Sequence, residues 1–332
     1  MTKLIAEIGQ AHDGSLGMLH AYIDAVAKTG VDTIKFQTHI AEAESSIYEP
    51  FRIKFSKQDN SRYEYWKRME FSQDQWNAIG KHCKDVGLEF ISSPFSNKAV
   101  DVLEKANVDC YKIGSGEVTN FLLLEKVART KKPVIISSGM SSYNELDMAV
   151  EFLESHNVEF SILQCTTSYP TQPEQYGFNI ISEMKKRYSQ PIGFSDHSAR
   201  IETGISAVTL GADLLEFHVI FDKSQFGPDV SSSLTISETR ALVKGVRNIE
   251  IALQHNIDKT DNSAFADVKS IFEKSLAINK TLKKGHVLTF DDLEAKKPKG
   301  FGILASEYTT VIGKVLKHNK IAYDFLTEDD IT

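Results

Sequence analysis

The feature that most limits what this chain can fold into is an alternation of short apolar runs with amphipathic helical stretches, repeated eight times with little interruption. Runs at 4–8, 33–37, 88–92, 110–113, 133–136, 159–164, 192–194 and 214–217 read as strands. Helical patterns at 16–28, 73–86, 97–106, 119–130, 142–155, 177–188, 200–210 and 237–255 lie between and after them. Strict alternation implies a parallel sheet, because parallel neighbours need a crossover connection. Eight such units suit a closed (β/α)8 TIM barrel. An open doubly wound sheet is the alternative, but no Gly-rich dinucleotide fingerprint follows the first strand. Residues 38–71 form the longest irregular stretch.

A barrel of this type carries its chemistry at the C-terminal ends of its strands. In chain order those ends hold Glu7, then Lys35 and Gln37, Ser92 and Ser93, and Lys112 with Ser115 and Glu117. Ser137 and Ser138 follow, then Thr166, Thr167 and Tyr169, then Ser195, Asp196 and His197, and finally His218. One polar strand end is only the start of a loop. Lysines inside apolar strands, as at Lys35 and Lys112, are more informative, because a buried ammonium is costly without a partner. Two such lysines within a collar of hydroxyls describe a site for a phosphate and a carboxylate on one small molecule.

His197 and His218 stand at the ends of adjacent predicted strands and could share one divalent ion between two neutral imidazoles. Taken singly, each reads more readily as a satisfied semi-buried histidine, and only the other strand-end residues overturn that reading. An ion held there would polarise an aldehyde oxygen. Glu117, Glu7 or Asp196 would then handle protons. A metal-free aldolase using a Schiff-base lysine is the rival chemistry, and the histidine pair argues against it.

The 332-residue length suits one large domain plus a small one, at about 150 residues per domain as a prior. A formal net charge of −7 argues against a nucleic-acid surface. Cys83, Cys110 and Cys165 are too scattered for a zinc site and odd in number for a disulfide framework, which suggests a reducing compartment. The first residues read as a strand rather than a signal peptide. No run of about 18 uncharged apolar residues suggests a membrane span, so a cytoplasmic protein is expected. Residues 1–256 are assigned to the barrel, 257–269 to a polar linker, and 270–332 to a small second unit that docks onto a barrel. The lysines at 296, 297 and 299 lie in that unit beside two glycines.

Several segments together resemble the sialic acid synthase family, the phosphoenolpyruvate-dependent nonulosonic acid synthases with a C-terminal antifreeze-like (SAF) domain. They are Ala6-Glu-Ile-Gly with His12-Asp-Gly14, Lys35-Phe-Gln37, Ser92-Ser-Pro-Phe95, Tyr111-Lys-Ile-Gly-Ser-Gly-Glu117 and Ser137-Ser-Gly-Met140. Tyr169-Pro170, Phe194-Ser-Asp-His197, Glu216-Phe-His218 and Gly227-Pro-Asp229 complete the set. The resemblance implies condensation of phosphoenolpyruvate with the open-chain aldehyde of an N-acylated hexosamine, with loss of phosphate, in the synthesis of a surface glycan. It implies that Lys35, Ser93, Lys112, Ser115, Ser137 and Ser195 hold phosphoenolpyruvate. His197 and His218 would bind Mn²⁺, with Mg²⁺ or Co²⁺ as substitutes. Glu7, Gln37, Tyr169 and Asp229 would contact the sugar. Glu117 would assist water addition, completing a catalytic set with Lys112, His197 and His218. The resemblance also implies a domain-swapped homodimer.

Three positions depart from the family pattern, and residues 38–71, expected to line the pocket, match no segment of it. Ala11 replaces the usual Asn before the histidine. Thr167 stands where an amide often reaches phosphoenolpyruvate. Lys297 stands where an arginine is expected to reach the N-acyl group, and the two cations differ in hydrogen-bond geometry. A related synthase of 3-deoxy sugar acids, acting on a phosphorylated aldose, is the second enzymatic reading. A non-catalytic sugar-binding protein is the third.

Overall fold

The computed structural model describes residues 1–332. Eight parallel strands, β1 (Lys3–Glu7), β2 (Thr33–Thr38), β3 (Glu89–Pro94), β4 (Cys110–Ile113), β5 (Val134–Ser137), β6 (Phe160–Cys165), β7 (Ile192–Asp196) and β8 (Leu214–Ile220), pair in chain order. β1 also pairs with β8, which closes the barrel. A short β9 (Ser233–Thr235) adds in parallel beside β8. The helices are α1 (Leu16–Ala27), α2 (Ala41–Glu44), α3 (Arg62–Met69), α4 (Gln73–Asp85), α5 (Asn97–Lys105), α6 (Phe121–Ala128), α7 (Tyr143–Ser155), α8 (Phe178–Arg187), α9 (Ile201–Thr209) and α10 (Ile236–Gln254). The barrel expected from the alternation is therefore present.

Local chemistry sets the helix starts. Ser15, Ser61, Ser72, Ser96, Ser142 and Thr235 each accept a backbone N–H of the first turn through the side-chain oxygen. At the other end of α4, Gly87 takes φ +79, a conformation glycine adopts without strain. Residues 38–71 depart from the irregular segment expected, because they contain α2 and α3. Both helices are too short to leave a clear apolar period in the sequence.

Strand parity explains where the site sits. Ile5, Ile91, Cys110, Ile135, Leu163 and Leu214 form one apolar cluster contributed by six strands. Two residues further along the same strands stand Glu7, Ser93, Lys112, Ser137, Cys165 and Glu216. Side chains two apart share a face of a strand, so an apolar plug inside the barrel is followed by a polar layer towards the strand C-termini. The alternate set, which includes Leu4, Ala6, Phe90, Tyr111, Ile136, Ile162, Leu215 and Phe217, packs outward with the helices in the main core. Gly193 allows β7 to fit: a Cβ there would lie 2.5 Å from both Leu214 O and Leu163 Cδ2.

The chain divides into two compact units, Met1–His255 and Asn256–Thr332. The segment expected as a bare linker contains the start of α11 (Ala266–Phe272). Beyond it, β10 (Ser275–Ile278) pairs antiparallel with β11 (Leu293–Lys296) over a small core that includes Leu276, Ile278, Leu288 and Leu326. Thr289 caps a short 3-10 turn at Phe290–Asp292. The buried Asp292 accepts the Thr289 amide and hydroxyl and pairs with Lys280 and His286. No helix is long and apolar enough to cross a membrane.

Candidate active site

At the C-terminal end of the barrel strands a cavity of about 520 Å³ opens over the polar layer. Glu7, Lys35, Gln37, Ser93, Lys112, Ser115, Glu117, Ser137, Thr167, Tyr169, Ser195, His197, His218 and Asp229 all line it. Residues anticipated from every strand end thus meet at one place. Lys297 belongs to the second unit, where its ammonium lies 4.5 Å from the centre of the Phe272 ring. Asp196, weighed as a proton carrier, has the opposite parity to Ser195 and accepts the Ser198 amide and hydroxyl. Burial raises its pKa to about 6.

The floor is an ionic network. Lys35 Nζ lies 2.5 Å from Glu7 Oε2 and 3.8 Å from Glu216 Oε1, while Lys112 Nζ lies 3.3 Å from Glu216 Oε1. Lys112 donates to Ser137 Oγ at 2.7 Å, and Ser195 Oγ donates to Glu216 at 3.0 Å. Gln37 Nε2 donates to Glu7 Oε1 at 2.9 Å. Burial alone would push the Glu216 carboxyl up, but Lys112 and Lys35 hold it below the usual carboxylate range. Burial lowers both lysines; for Lys35 the carboxylates of Glu216 and Glu7 outweigh it and raise the pKa. For Lys112 burial prevails, aided by repulsion from Lys35. Two ammonium groups thus face two carboxylates, and the floor carries no net charge.

Glu216 is a cavity-floor side chain that reasoning from sequence passed over. The signal was available: a charged residue in the middle of the apolar run of β8, as informative as Lys35 or Lys112.

The two histidines sit at the wall. Their ring centres are 5.3 Å apart, with Tyr169 stacked on His197 at 4.2 Å and edge-on to His218 at 6.2 Å. His197 Nδ1 is 3.0 Å from the Thr166 carbonyl, so this nitrogen carries the proton and Nε2 keeps its lone pair. A backbone carbonyl fixing the far nitrogen is the usual support of a metal-bound imidazole. Burial lowers the pKa of both rings, which keeps them neutral near pH 7. No group of three or more His, Cys, Asp or Glu side chains converges on one point. The donor set fits a divalent ion held by two imidazoles whose other ligands come from outside the chain.

Glu117 ends the short turn Ser115–Glu117 and accepts from Asn120 Nδ2 at 2.7 Å. Ser115 Oγ accepts the Gly139 amide at 3.1 Å. Cys165 lines the cavity, but burial raises its thiol to about 11, so it is not poised as a nucleophile. A further part of the wall comes from residues 38–71. His39 is stacked between Trp66 and Phe95, at ring-centre distances of 3.8 and 4.6 Å, and its nitrogens face Glu44 and Gln37. Arg52, Phe55, Arg62 and Trp66 complete that wall; the segment as a whole is expected to line the pocket, but the sequence singles out none of these residues.

Residues 22–258 match the NeuB family and residues 273–332 match the SAF domain. The chain is 31% identical over 324 residues to the N,N'-diacetyllegionaminic acid synthase of Campylobacter jejuni serotype O:2, spanning 96% of each protein. It is 35% identical over 304 residues to the N-acetylneuraminate-9-phosphate synthase of Homo sapiens, spanning 90% of this chain and 84% of that one. Among solved structures, the sialic acid synthetase of Leptospira borgpetersenii in complex with citrate aligns with a TM-score of 0.70 at 28% identity. That alignment covers 81% of this chain and 90% of the other.

Proposed function

As the chain belongs to the NeuB family, we propose that it condenses phosphoenolpyruvate with the open-chain aldehyde of an N-acylated hexosamine, giving a sialic-acid-like nonulosonic acid and phosphate. The observation that carries this reading is the pairing, in one cavity, of a lysine-and-hydroxyl floor with two neutral imidazoles.

Lys35 and Lys112 receive the phosphate and carboxylate of phosphoenolpyruvate, with Ser93, Ser115, Ser137 and Ser195 supplying directional hydrogen bonds. Thr167 adds one more hydroxyl. Because Glu7 and Glu216 already balance the lysines, a multiply charged anion gains most when further positive charge comes with it. His197 and His218 would hold that charge as a divalent ion, Mn²⁺ for preference, which supplies Lewis-acid polarisation of the acceptor aldehyde.

Glu7, Gln37, Tyr169 and Asp229 orient the sugar so that the aldehyde carbon faces the enol carbon of phosphoenolpyruvate. Carbon–carbon bond formation leaves the adjacent carbon electron-poor. Glu117, at the cavity edge, accepts a proton from the water that adds there. The resulting tetrahedral phosphate ester collapses with loss of phosphate. The ordered floor lowers the entropic cost of bringing the two substrates together. The working form is a homodimer. Exposed Phe290 and Phe301 on the second unit support a partner that covers them.

The test is phosphate release from phosphoenolpyruvate with Mn²⁺, run against a panel of free and phosphorylated aldoses and acylated hexosamines. Release that requires an acylated hexosamine and is lost in His218→Ala supports the reading. Release with a phosphorylated, non-acylated aldose alone would favour the 3-deoxy sugar acid synthase instead. No release with any member, despite retained phosphoenolpyruvate binding, would contradict a synthase.

A further inference from the structure

Arg62 stands out among the arginines of this chain. Its side chain is only 15% exposed, and its guanidinium lies 4.0 Å from the centre of the Trp66 ring, with Tyr65 at 5.5 Å and Phe51 at 6.0 Å. Arg68, Arg187 and Arg247 each donate hydrogen bonds to carboxylates. Arg62 donates none. The nearest carboxylate oxygen, Glu49 Oε1, is 3.5 Å away, and Glu49 accepts from Trp66 Nε1 and from the Ser45 hydroxyl. Arg52 likewise forms no hydrogen bond; it lies over Tyr169 at 4.5 Å with Asp229 at 4.0 Å. A stacked, preorganised fork of N–H donors facing a cavity is a recognition element, since leaving such donors desolvated and unused is costly.

The charges around that fork decide what it recognises. Arg52 and Arg62 are offset by Glu49 and Asp229, so this part of the wall is neutral overall. A phosphate brought here would face both carboxylates, whereas a carbonyl oxygen needs no counter-charge. The apolar surface next to the fork, from Phe55 and the edge of Trp66, whose two faces are covered by His39 and Arg62, suits a short alkyl group. An amide-linked acyl group has both parts: a carbonyl oxygen that accepts from a guanidinium, and a methyl that packs on aromatic surface.

We propose that Arg62 sets acceptor specificity by donating to the carbonyl oxygen of an acylamido group, with Trp66 and Phe55 against its alkyl end, and that the acceptor carries no phosphate. This rests on the reading of the cavity as the site of an acylated hexosamine. It transfers to the first unit the acyl contact expected of Lys297, which has an ammonium in place of a fork.

The test is equilibrium binding to the full chain loaded with Mn²⁺ and without phosphoenolpyruvate, so that no turnover occurs, measured by calorimetry. The probes are acylated 2-amino- and 2,4-diaminohexoses, the corresponding hexoses with hydroxyls in place of the amides, and the 6-phosphate of N-acetylmannosamine. The wild type should prefer the best acylated sugar over its hydroxyl counterpart by about tenfold to a hundredfold, the range of a hydrogen bond to a charged donor. In Arg62→Met that preference should fall to within about threefold while phosphoenolpyruvate binding is unchanged. Arg62→Lys should recover only part of it, and Lys297→Met should retain it.

An acyl preference that survives Arg62→Met, or is lost in Lys297→Met instead, overturns the assignment. So does a 6-phosphate bound far more tightly than the free sugar in the wild type. Selective sugar binding without phosphate release would contradict the synthase reading and leave the subsite standing. Failure to bind any sugar would overturn both.

Discussion

Breaking the ion pair between Lys112 and Glu216 has two separable consequences. Both side chains are at most 5% exposed and their charged atoms are 3.3 Å apart. At an effective dielectric near 20 the gross attraction is about 5 kcal/mol. Lys112→Met leaves the Glu216 carboxylate with Ser195 and with Lys35 at 3.8 Å. Glu216→Gln leaves the Lys112 ammonium with Ser137. Each single change should cost about 3–5 kcal/mol, the usual penalty for stranding one partner of a buried pair. In the double variant neither charge is stranded, so its loss should fall short of the sum by about 2–3 kcal/mol, a coupling typical of contacting groups. The assay is urea unfolding of the full chain followed by tryptophan fluorescence. Both tryptophans, Trp66 and Trp76, lie in the first unit, so the signal reports the barrel alone. Additivity within about 0.5 kcal/mol would refute the argument, because it would mean that the two groups do not rely on each other.

Two further outcomes follow from particular contacts. Gly193→Ala should destabilise the barrel by about 1–3 kcal/mol in the same fluorescence assay, because its Cβ would meet Leu214 O and Leu163 Cδ2 at 2.5 Å; an unchanged midpoint would contradict the packing of β7. In the second unit, burial raises the Asp292 pKa, but its bonds to Lys280, His286 and Thr289 outweigh this and hold it below the usual aspartate value. A depressed carboxylate contributes its full stability above its unfolded pKa and loses it as pH falls through the folded value. Hydrogen exchange at β10, corrected for intrinsic rates, should therefore be faster in Asp292→Asn than in the wild type at neutral pH, with the difference shrinking below about pH 4. A difference independent of pH would contradict the assignment.

The barrel was legible because its signal is repeated: eight apolar runs with helices between them leave few alternatives, and their polar ends locate the site. Lys35 and Lys112 were legible for a physical reason, since a charge in an apolar strand must have a partner. The partner itself, Glu216, obeys the same rule, as a charge within the apolar run of β8. What sequence could not supply was the parity of each strand relative to the others. Parity places Ser195 in the site and turns Asp196 towards Ser198. Residues 38–71 are expected at the pocket, but the side chains that build the wall were illegible because α2 and α3 are short and their side chains are fixed by stacking across distant elements, as with His39 between Trp66 and Phe95. In the second unit, 3-10 turns and isolated bridges leave no period to read.

The central claim is that phosphate leaves by cleavage of the carbon–oxygen bond of phosphoenolpyruvate after a new carbon–carbon bond has formed. The most direct measurement uses phosphoenolpyruvate labelled with heavy oxygen at the bridging position, with Mn²⁺ and the accepted acylated hexosamine, and weighs both products by mass spectrometry. The account predicts the label in the released phosphate and an unlabelled sugar acid three carbons longer than the acceptor. Label retained on the carbon product, or phosphate released without chain extension, would contradict it.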